Sequence, residues 1–533
     1  MSNSDSNIRE LNERIQALTF ENNDLKTNLF NLENNFFILE ETNQTLSTKA
    51  EWLETELAVS RHNCELLKNA VYGKRSEKTK NSYTDQISFL FNEAEVYAEI
   101  DGKPIDTEGA SSNVLLKKKA GRKALPANLP REEIIHALKG DELKCNCGGE
   151  LTHIGSEESE QLDVIPAKVI VKKHIRYKYA CRSCEEVVKR APAPFSPIKK
   201  TMVTSNLLAH ICIQKFDDHS PLYRQERIWQ RLGVSLSRAT MANWMLSSAA
   251  KLTPIINLLK QDINGSDYVC SDETTLNVLS NNKSTNYMWL HMSGCREQRA
   301  VVYEYQQSRS GSAASEFLSG FKGYHQCDGY SGYNELHDKA DVIGVGCMAH
   351  ARRKFMDILK ITKKPGIAST VVNIIGELYK IERDTQELDR VQTYKVRQDK
   401  AKPILEQLKQ TLLHYQNQAP PTSILGKAIN YPLNQWEKLI AYLEDGRIRI
   451  DNNDCERAIK PFVIGRKNWL FSNSEKGAEA SSVIFSIIET CKANNVNTYN
   501  YLRYIFENIH TAKTEKELRA ILPYNINPTL LAA

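Results

Sequence analysis

No stretch of the 533 residues is long and apolar enough to cross a bilayer, and no signal peptide opens the chain. The expectation is a soluble intracellular protein. Little net charge is left over: 70 Lys and Arg stand against 65 Asp and Glu, a formal +5 that does not by itself point to nucleic acid. A disulfide framework is missing as well. Twelve cysteines are few for this length, and most stand singly (Cys64, Cys212, Cys270, Cys295, Cys491), as small reduced core residues do. The length itself implies several domains, each with residues enough for a core.

What is present is unevenly placed. Leucine recurs every seventh residue at Leu11, Leu18, Leu25, Leu32, Leu39, Leu46 and Leu53. With these as d, the a positions read Ile8, Ile15, Asn22, Leu29, Phe36, Asn43, Ala50 and Leu57. Residues 1–70 are therefore expected to form a coiled coil (a leucine zipper), and Asn22 and Asn43 favour an in-register parallel homodimer over a trimer. The alternative is one long helix folded back on its own body.

Residues 71–130 read as a basic linker, with Lys117, Lys118, Lys119, Arg122 and Lys123 around a glycine and prolines at 126 and 130. Such a segment can lie along phosphates or simply keep a joint soluble. Residues 131–200 hold two close cysteine pairs, Cys145 with Cys147 and Cys181 with Cys184. Four thiolates can close a tetrahedral zinc site, so the segment reads as a zinc-ribbon-like module. The single-residue spacer of the first pair strains a shared chelate, and four reduced cysteines on a small sheet is the other reading. Lys172, Lys173, Arg176 and Lys178 give the module a positive face either way. Residues 201–260 have helical periodicity broken at Gly233, where a tight turn needs a glycine. Ser235 or Ser237 can cap the second helix, which presents Arg238, Thr240 and Asn243. This is the spacing of a DNA-reading helix-turn-helix, or of a plain helical connector.

From Ser266 the period changes. YVCSDETTLNVL, NYMWLHMSG and RAVVYEYQQS read as three antiparallel strands, SAASEFLSGF as a helix, and GYHQCDGYSGYN and DVIGVGC as two further strands. That order is the order of a ribonuclease H-like α/β domain, assigned here to 264–358 and 446–495 around a helical insertion at 359–445. Prolines 403, 420, 421 and 432 are expected to break the insertion, and residues 496–533 read as a helical tail. Asp272 then lies on the first strand and Asp328 at the end of the fourth, its neighbour. In RIDNNDCERAIKPFVIGRKNWLF, Asn452 or Asn453 can cap a helix whose first turn holds Glu456, and Pro461 is expected to end or kink it. Beside Glu456 stand Arg457, Lys460, Arg466 and Lys467. The acid could hold a metal and the cations a polyanion, or the stretch could be a self-neutralising solvated face.

SDET, QCDGYSGYN, CMAHARRKF and DNNDCERAIKPFVIGRKNWLF resemble the bacterial insertion-sequence transposases of the "insertion sequence sixty-six" type, within the DDE superfamily. YGKRSEK, AGRKALPANLP, the cysteine pairs, EQLDVIPAK and DDHSPLYRQERIWQRLGVSLSR extend the resemblance upstream. It implies a multidomain α+β chain, catalytic acids at Asp272, Asp328 and Glu456, and a helical insertion before the glutamate helix. It also implies Mg²⁺ or Mn²⁺ as cofactor, double-stranded element ends and target DNA as partners, and small accessory proteins of the same element. Action at the nucleoid in the bacterial cytoplasm follows, with no membrane partner. The shortened first cysteine pair departs from the family's two-residue spacer.

The chemistry suits those residues. Two Mg²⁺ ions roughly 3.5–4 Å apart can activate an attacking oxygen and stabilise a leaving one, and carboxylates are the hard ligands they prefer. Asp272 is the expected bridge. Glu273, next along the strand, should point to the opposite face and is set aside. Three bare carboxylates repel, so metal or protons should be needed to settle them. His350, in Cys347-Met-Ala-His350, could approach the scissile phosphate, orient a carboxylate or be purely structural. Arg352, Arg353 and Lys354, with Arg466 and Lys467, are candidates for the DNA backbone; Trp469 could stack on a base or pack in the core. GAEASSVIFSIIETCKANN reads as an amphipathic helix covering the sheet. Two other functions fit the residues alone: a non-catalytic DNA-binding regulator, and a metal-dependent nuclease that cuts without joining.

Overall fold

The computed structural model describes residues 2–72, 169–175, 177–180, 188–190, 194–281, 285–295, 297–362 and 366–531. The linker cations Lys117, Lys118, Lys119, Arg122 and Lys123 and the cysteines Cys145, Cys147, Cys181 and Cys184 lie outside these residues, as does Arg176. Among the described residues, no helix is long and apolar enough to cross a membrane. The contacts divide the chain into two compact units, residues 100–194 and the remainder. In the smaller unit, β1 (Lys178–Ala180) and β2 (Val188–Arg190) pair antiparallel with Tyr179 opposite Lys189.

In the larger unit, α1 (Ser2–Tyr72) is one continuous helix. Its heptad side chains Ile15, Leu18, Leu25, Leu32, Phe36, Leu39 and Leu46 are exposed. Its later turns use two faces. Leu53 and Leu57 stay exposed, while Thr55 is buried and Trp52 half-buried against the body. Glu51 Oε1 accepts the Ile367 N–H at 2.6 Å and Glu56 Oε1 the Ile424 N–H at 2.9 Å. Each carboxylate satisfies an amide at the start of a helix, where the backbone lacks partners and the dipole favours negative charge.

Next come α2 (Ser205–Phe216), α3 (Leu222–Arg231) and α4 (Arg238–Asn264). Gly233 turns the chain between α3 and α4 at φ +79°, the left-handed region that favours glycine. Of the two candidate caps it is Ser237 that acts, its Oγ accepting the Thr240 N–H at 3.2 Å. Past its exposed first turn α4 runs on through Pro254 and buries Leu252, Ile255, Ile256, Leu259 and Ile263. The helical pair and the sheet therefore share one continuous core, from Val203 through Met245 and Leu258 to Met292.

The sheet has five strands: β3 (Tyr268–Leu276), β4 (Asn286–Ser293), β5 (Val301–Gln306), β6 (Gly323–Gln326) and β7 (Val342–Val345). Its order is β5-β4-β3-β6-β7, with β3, β4 and β5 antiparallel and β6 and β7 parallel to β3. Helix α5 (Gly311–Phe317) carries the chain back from the edge strand β5 to the centre. Short α6 (Asn334–His337) precedes β7, and α7 (Met348–Thr362) follows it.

The insertion is helical: α8 (Ile367–Asp384), α9 (Arg390–Val396), a π-helical turn over 397–401, α10 (Lys402–Gln416), α11 (Ile424–Asn434) and α12 (Trp436–Ile440). Buried Arg397 pins it, donating to both oxygens of Glu382 and to the carbonyls of Tyr442 and Asp445. Neither Pro403 nor Pro432 breaks it as expected: the chain stays helical from Arg390 through the π turn and Pro403 to Gln416, and Pro432 lies inside α11. Likewise α13 (Asn453–Trp469) continues through Pro461, so of the two expectations, an end or a kink, the end does not occur. Tertiary contacts offset the missing N–H: Phe462 is fully buried and the Tyr303 hydroxyl donates to the Ala458 carbonyl.

Helix α14 (Glu475–Ala493) corrects a second expectation. It is not amphipathic at its centre, for every residue from Ile484 to Cys491 is buried between β5 and α4. Its hydroxyls explain the polar ones. Ser486 Oγ accepts the Tyr303 N–H at 2.8 Å, and Thr490 Oγ1 bonds both the N–H and the carbonyl of Val301. The exposed edge of β5 is thereby closed by a helix. Helices α15 (Thr498–Asn508) and α16 (Glu515–Ala520) finish the chain against α2 and α4.

Candidate active site

Parallel pairing sets the first two carboxylates side by side. Tyr268, Val269 and Cys270 face Tyr324, His325 and Gln326. Carried two residues further, the same register puts Asp328 beside Asp272. Asp272 Oδ1 accepts the Glu273 N–H at 2.9 Å, and Asp328 Oδ1 accepts the Tyr330 N–H at 2.8 Å. Glu456 comes from the first turn of α13, which is tied to the same strand: Asn452 Nδ2 donates to the Ser271 carbonyl at 3.0 Å. The Asn452 N–H also meets Cys347 Sγ at 3.3 Å, just before α7. Asn452 is the helix's N-cap by position but makes no side-chain cap; Asp451 instead accepts the Asn453 N–H at 3.1 Å.

Burial raises the pKa of all three acids, and that of Asp272 well above the usual carboxylate range. Asp272 is raised further by the charges of Glu273, Glu456 and Asp328, and Glu456 by those of Asp451 and Asp328. Mutual influence of this kind requires proximity. The donor set is hard oxygen with excess negative charge, which fits divalent ions such as Mg²⁺ or Mn²⁺.

The cations fall into separate groups. Arg353 Nη2 lies 3.5 Å from Glu456 Oε2, and His350 Nδ1 lies 3.5 Å from Glu456 Oε1. Burial, with Arg353 and Lys354, pushes His350 down to about 3, so its ring is neutral near neutral pH. Cys347, His350 and Glu456 bring ligand-type atoms within 4.8 Å of one another. Arg352 is buried, and Lys354 lies over the Tyr431 ring at 4.6 Å. Arg466 bonds the β3 strand, donating to Thr274 Oγ1 at 3.2 Å and to Thr275. Lys467 is exposed. Trp469 packs edge-on against Phe462 at 5.5 Å. Arg238 and Asn243 are exposed at the start of α4.

The other face of β3 holds groups that sequence reasoning passed over. Buried His291, Ser271 and His325 and half-buried His337 form a hydrogen-bonded line at 2.7, 2.8 and 2.9 Å. Desolvation pushes His291 down to about 3 and His337 to about 4, so these rings are neutral. Glu273 lies on that face too, as strand alternation requires. Its Oε1 pairs with Arg309 and its Oε2 accepts the Tyr333 hydroxyl at 2.5 Å. Arg309 comes from SRSGS, a loop stretch with neither periodicity nor motif to mark it.

Residues 200–480 match the family model described as Transposase IS66 family, and residues 486–524 that of the IS66 C-terminal element. Residues 142–185, spanning all four paired cysteines, match the zinc-finger binding domain of transposase IS66. Residues 61–134 match a model described as Transposase C of IS166 homeodomain. Similar proteins include two from Sinorhizobium fredii, both described as uncharacterized. The protein y4jD is 34% identical over 478 residues, 86% of this chain and 93% of its own length. The protein y4qI is 33% identical over 482 residues, 87% of this chain and 88% of its own.

Proposed function

This chain belongs to the IS66 family of transposases, and from that premise we propose that it cuts and joins DNA with Asp272, Asp328 and Glu456 as its catalytic acids. One observation carries the reading. Asp272 in the middle of β3, Asp328 two residues past its neighbour β6 and Glu456 in the first turn of α13 come from distant motifs, and each lies within electrostatic reach of another. The sheet order supports a ribonuclease H-like domain. Divalent ions held by these carboxylates would supply Lewis-acid activation of water and of the leaving oxygen.

The protein's own residues do the rest. Asp272 feels the charges of both other acids, and its carboxylate is anchored by the Glu273 N–H. His350 and the Arg353 guanidinium flank the Glu456 carboxylate, each 3.5 Å from one of its oxygens. Water attacks the phosphodiester at the element end, forming a P–O bond, breaking the bond to the 3′ oxygen and freeing a 3′-hydroxyl. That hydroxyl then attacks a target phosphodiester, whose own 3′ oxygen leaves. Exposed Arg238 and Asn243 are proposed to contact duplex DNA, with Lys467 and the linker cations on phosphates. Cys145, Cys147, Cys181 and Cys184 would hold a structural zinc ion. The exposed heptad face of α1 would pair with a second copy in parallel.

The test is a Mg²⁺-dependent assay on labelled element-end duplex, scoring both nicked and joined products. The transposase reading expects both. Nicking without joining selects the nuclease reading, and binding without either selects the regulator. Unimpaired cleavage by Asp272→Ala, Asp328→Ala or Glu456→Ala would remove that residue from the site.

A further inference from the structure

Arg309 is held like a tool rather than like a counterion. Glu273 is buried, its side chain 2% exposed, and a lone carboxylate there requires a partner. One edge of the guanidinium meets that need: Nε and Nη2 both donate to Oε1, at 2.8 and 2.5 Å. The arginine side chain is nevertheless 42% exposed, and its Nη1 hydrogen-bonds nothing among the described residues. The plane is fixed by Tyr330, whose ring lies 3.8 Å from the guanidinium carbon and whose hydroxyl donates to the Arg309 carbonyl at 2.5 Å. The loop is seated directly on the next turn, since the Gly332 carbonyl leaves no room for a Cβ at Gly311.

That turn is the one that carries Asp328, for the Tyr330 N–H is bonded to the Asp328 carboxylate. A site lined with acids repels a DNA strand. A cation beside Asp328, with its rotamer already fixed and one edge open, offsets that repulsion at little further loss of side-chain freedom.

We infer that Arg309 binds a phosphodiester group of the substrate DNA next to Asp328, with Glu273 as its positioning residue. This rests on the transposase reading above. Guanidinium suits the ligand, because its planar donors match phosphate oxygens.

The experiment uses full-length protein and a series of labelled element-end duplexes, each with one phosphate near the cleavage point replaced by a neutral methylphosphonate. Cleavage rates are measured for wild type, Arg309→Ala, Arg309→Lys and the double variant E273Q/R309A. Wild type should lose at least about tenfold at the contacted phosphate, the size of a charge-assisted hydrogen bond. Arg309→Ala should be slow on unmodified DNA and lose little more at that same position, while losing as much as wild type elsewhere. Arg309→Lys should recover part of the rate without restoring the full position effect. If Arg309 merely neutralises Glu273, E273Q/R309A will regain the wild-type rate and position profile, and the inference falls. It falls equally if Arg309→Ala shows the wild-type penalty at every position. Both outcomes are separable from failure of the underlying reading, in which Asp272→Ala cleaves as well as wild type.

Discussion

Asp272, Asp328 and Glu456 meet where burial alone makes ionisation costly, and Asp272 feels the other two charges besides. An acid whose folded-state pKa lies above its unfolded value stabilises the fold while protonated. That contribution is present below the ordinary carboxylate range and lost as pH rises through the raised values. The share of metal-free stability that these acids supply should therefore fall as pH is raised from about 4 toward neutrality, with Glu489, pushed up to about 7 by burial, adding to it. The neutral His291, His337 and His350 act in the opposite sense below the ordinary histidine range, so the difference in melting between wild type and Asp272→Asn at each pH isolates the acids. Mg²⁺ should reverse much of the loss at neutral pH. Asp272→Asn should melt higher than wild type without metal, yet cleave DNA at least about a hundredfold more slowly, since a ligand should matter no less than the groups that support it. Calorimetry beside the cleavage assay checks both signs. His350→Gln should slow cleavage by roughly tenfold and leave the pH–rate profile between 5 and 8 unmoved, because His350 already titrates near 3. The acids are singled out by their motifs. Strand alternation placed Glu273 on the far face correctly, but Arg309 bridges from that face to the Asp328 turn, a link that only the folded loop creates.

At the scale of elements, Gly233 and Ser237 set the angle and start of the helix proposed to read DNA. Gly233 sits at φ +79° in open space, so Gly233→Ala meets no clash and only backbone strain. The expected loss is about 1–2 kcal/mol of stability, and Ser237→Ala should lose about 1 kcal/mol. Denaturant unfolding measures both, and weakened duplex binding should accompany them. The strands of the sheet were legible because each alternates or runs apolar between turn residues. At Pro461 local propensity argues for a stop or a kink, and buried Phe462 and the Tyr303–Ala458 bond carry the helix on past it. Helix α14 was misread for a related reason. Ser486 and Thr490 look like a solvent face in sequence, but they close the edge of β5.

At the scale of the molecule, α1 presents two working faces. Glu51 and Glu56 fasten its later turns to the starts of α8 and α11, while Leu53 and Leu57 remain outside with the rest of the heptad. Pairing two copies through that stripe would fix two catalytic domains at a set separation, suited to holding two DNA ends. Light scattering should give twice the 60.6 kDa chain mass for wild type and the monomer mass for the double variant L32E/L39E. The heptad was plain in sequence. Its docking was not, because two glutamates on a polar face carry no signal until the helices they cap are in place. Nor did the sequence mark α2–α4 as part of the sheet's own core.

If Asp272, Asp328 and Glu456 form one ion-binding pocket, Mn²⁺ binding followed by electron paramagnetic resonance reports it without relying on turnover. Wild type should bind Mn²⁺ with the signal of closely coupled ions, and Asp272→Asn, Asp328→Asn and Glu456→Gln should each abolish that coupling while remaining folded. Undiminished coupled binding in any one of the three folded variants would contradict the account.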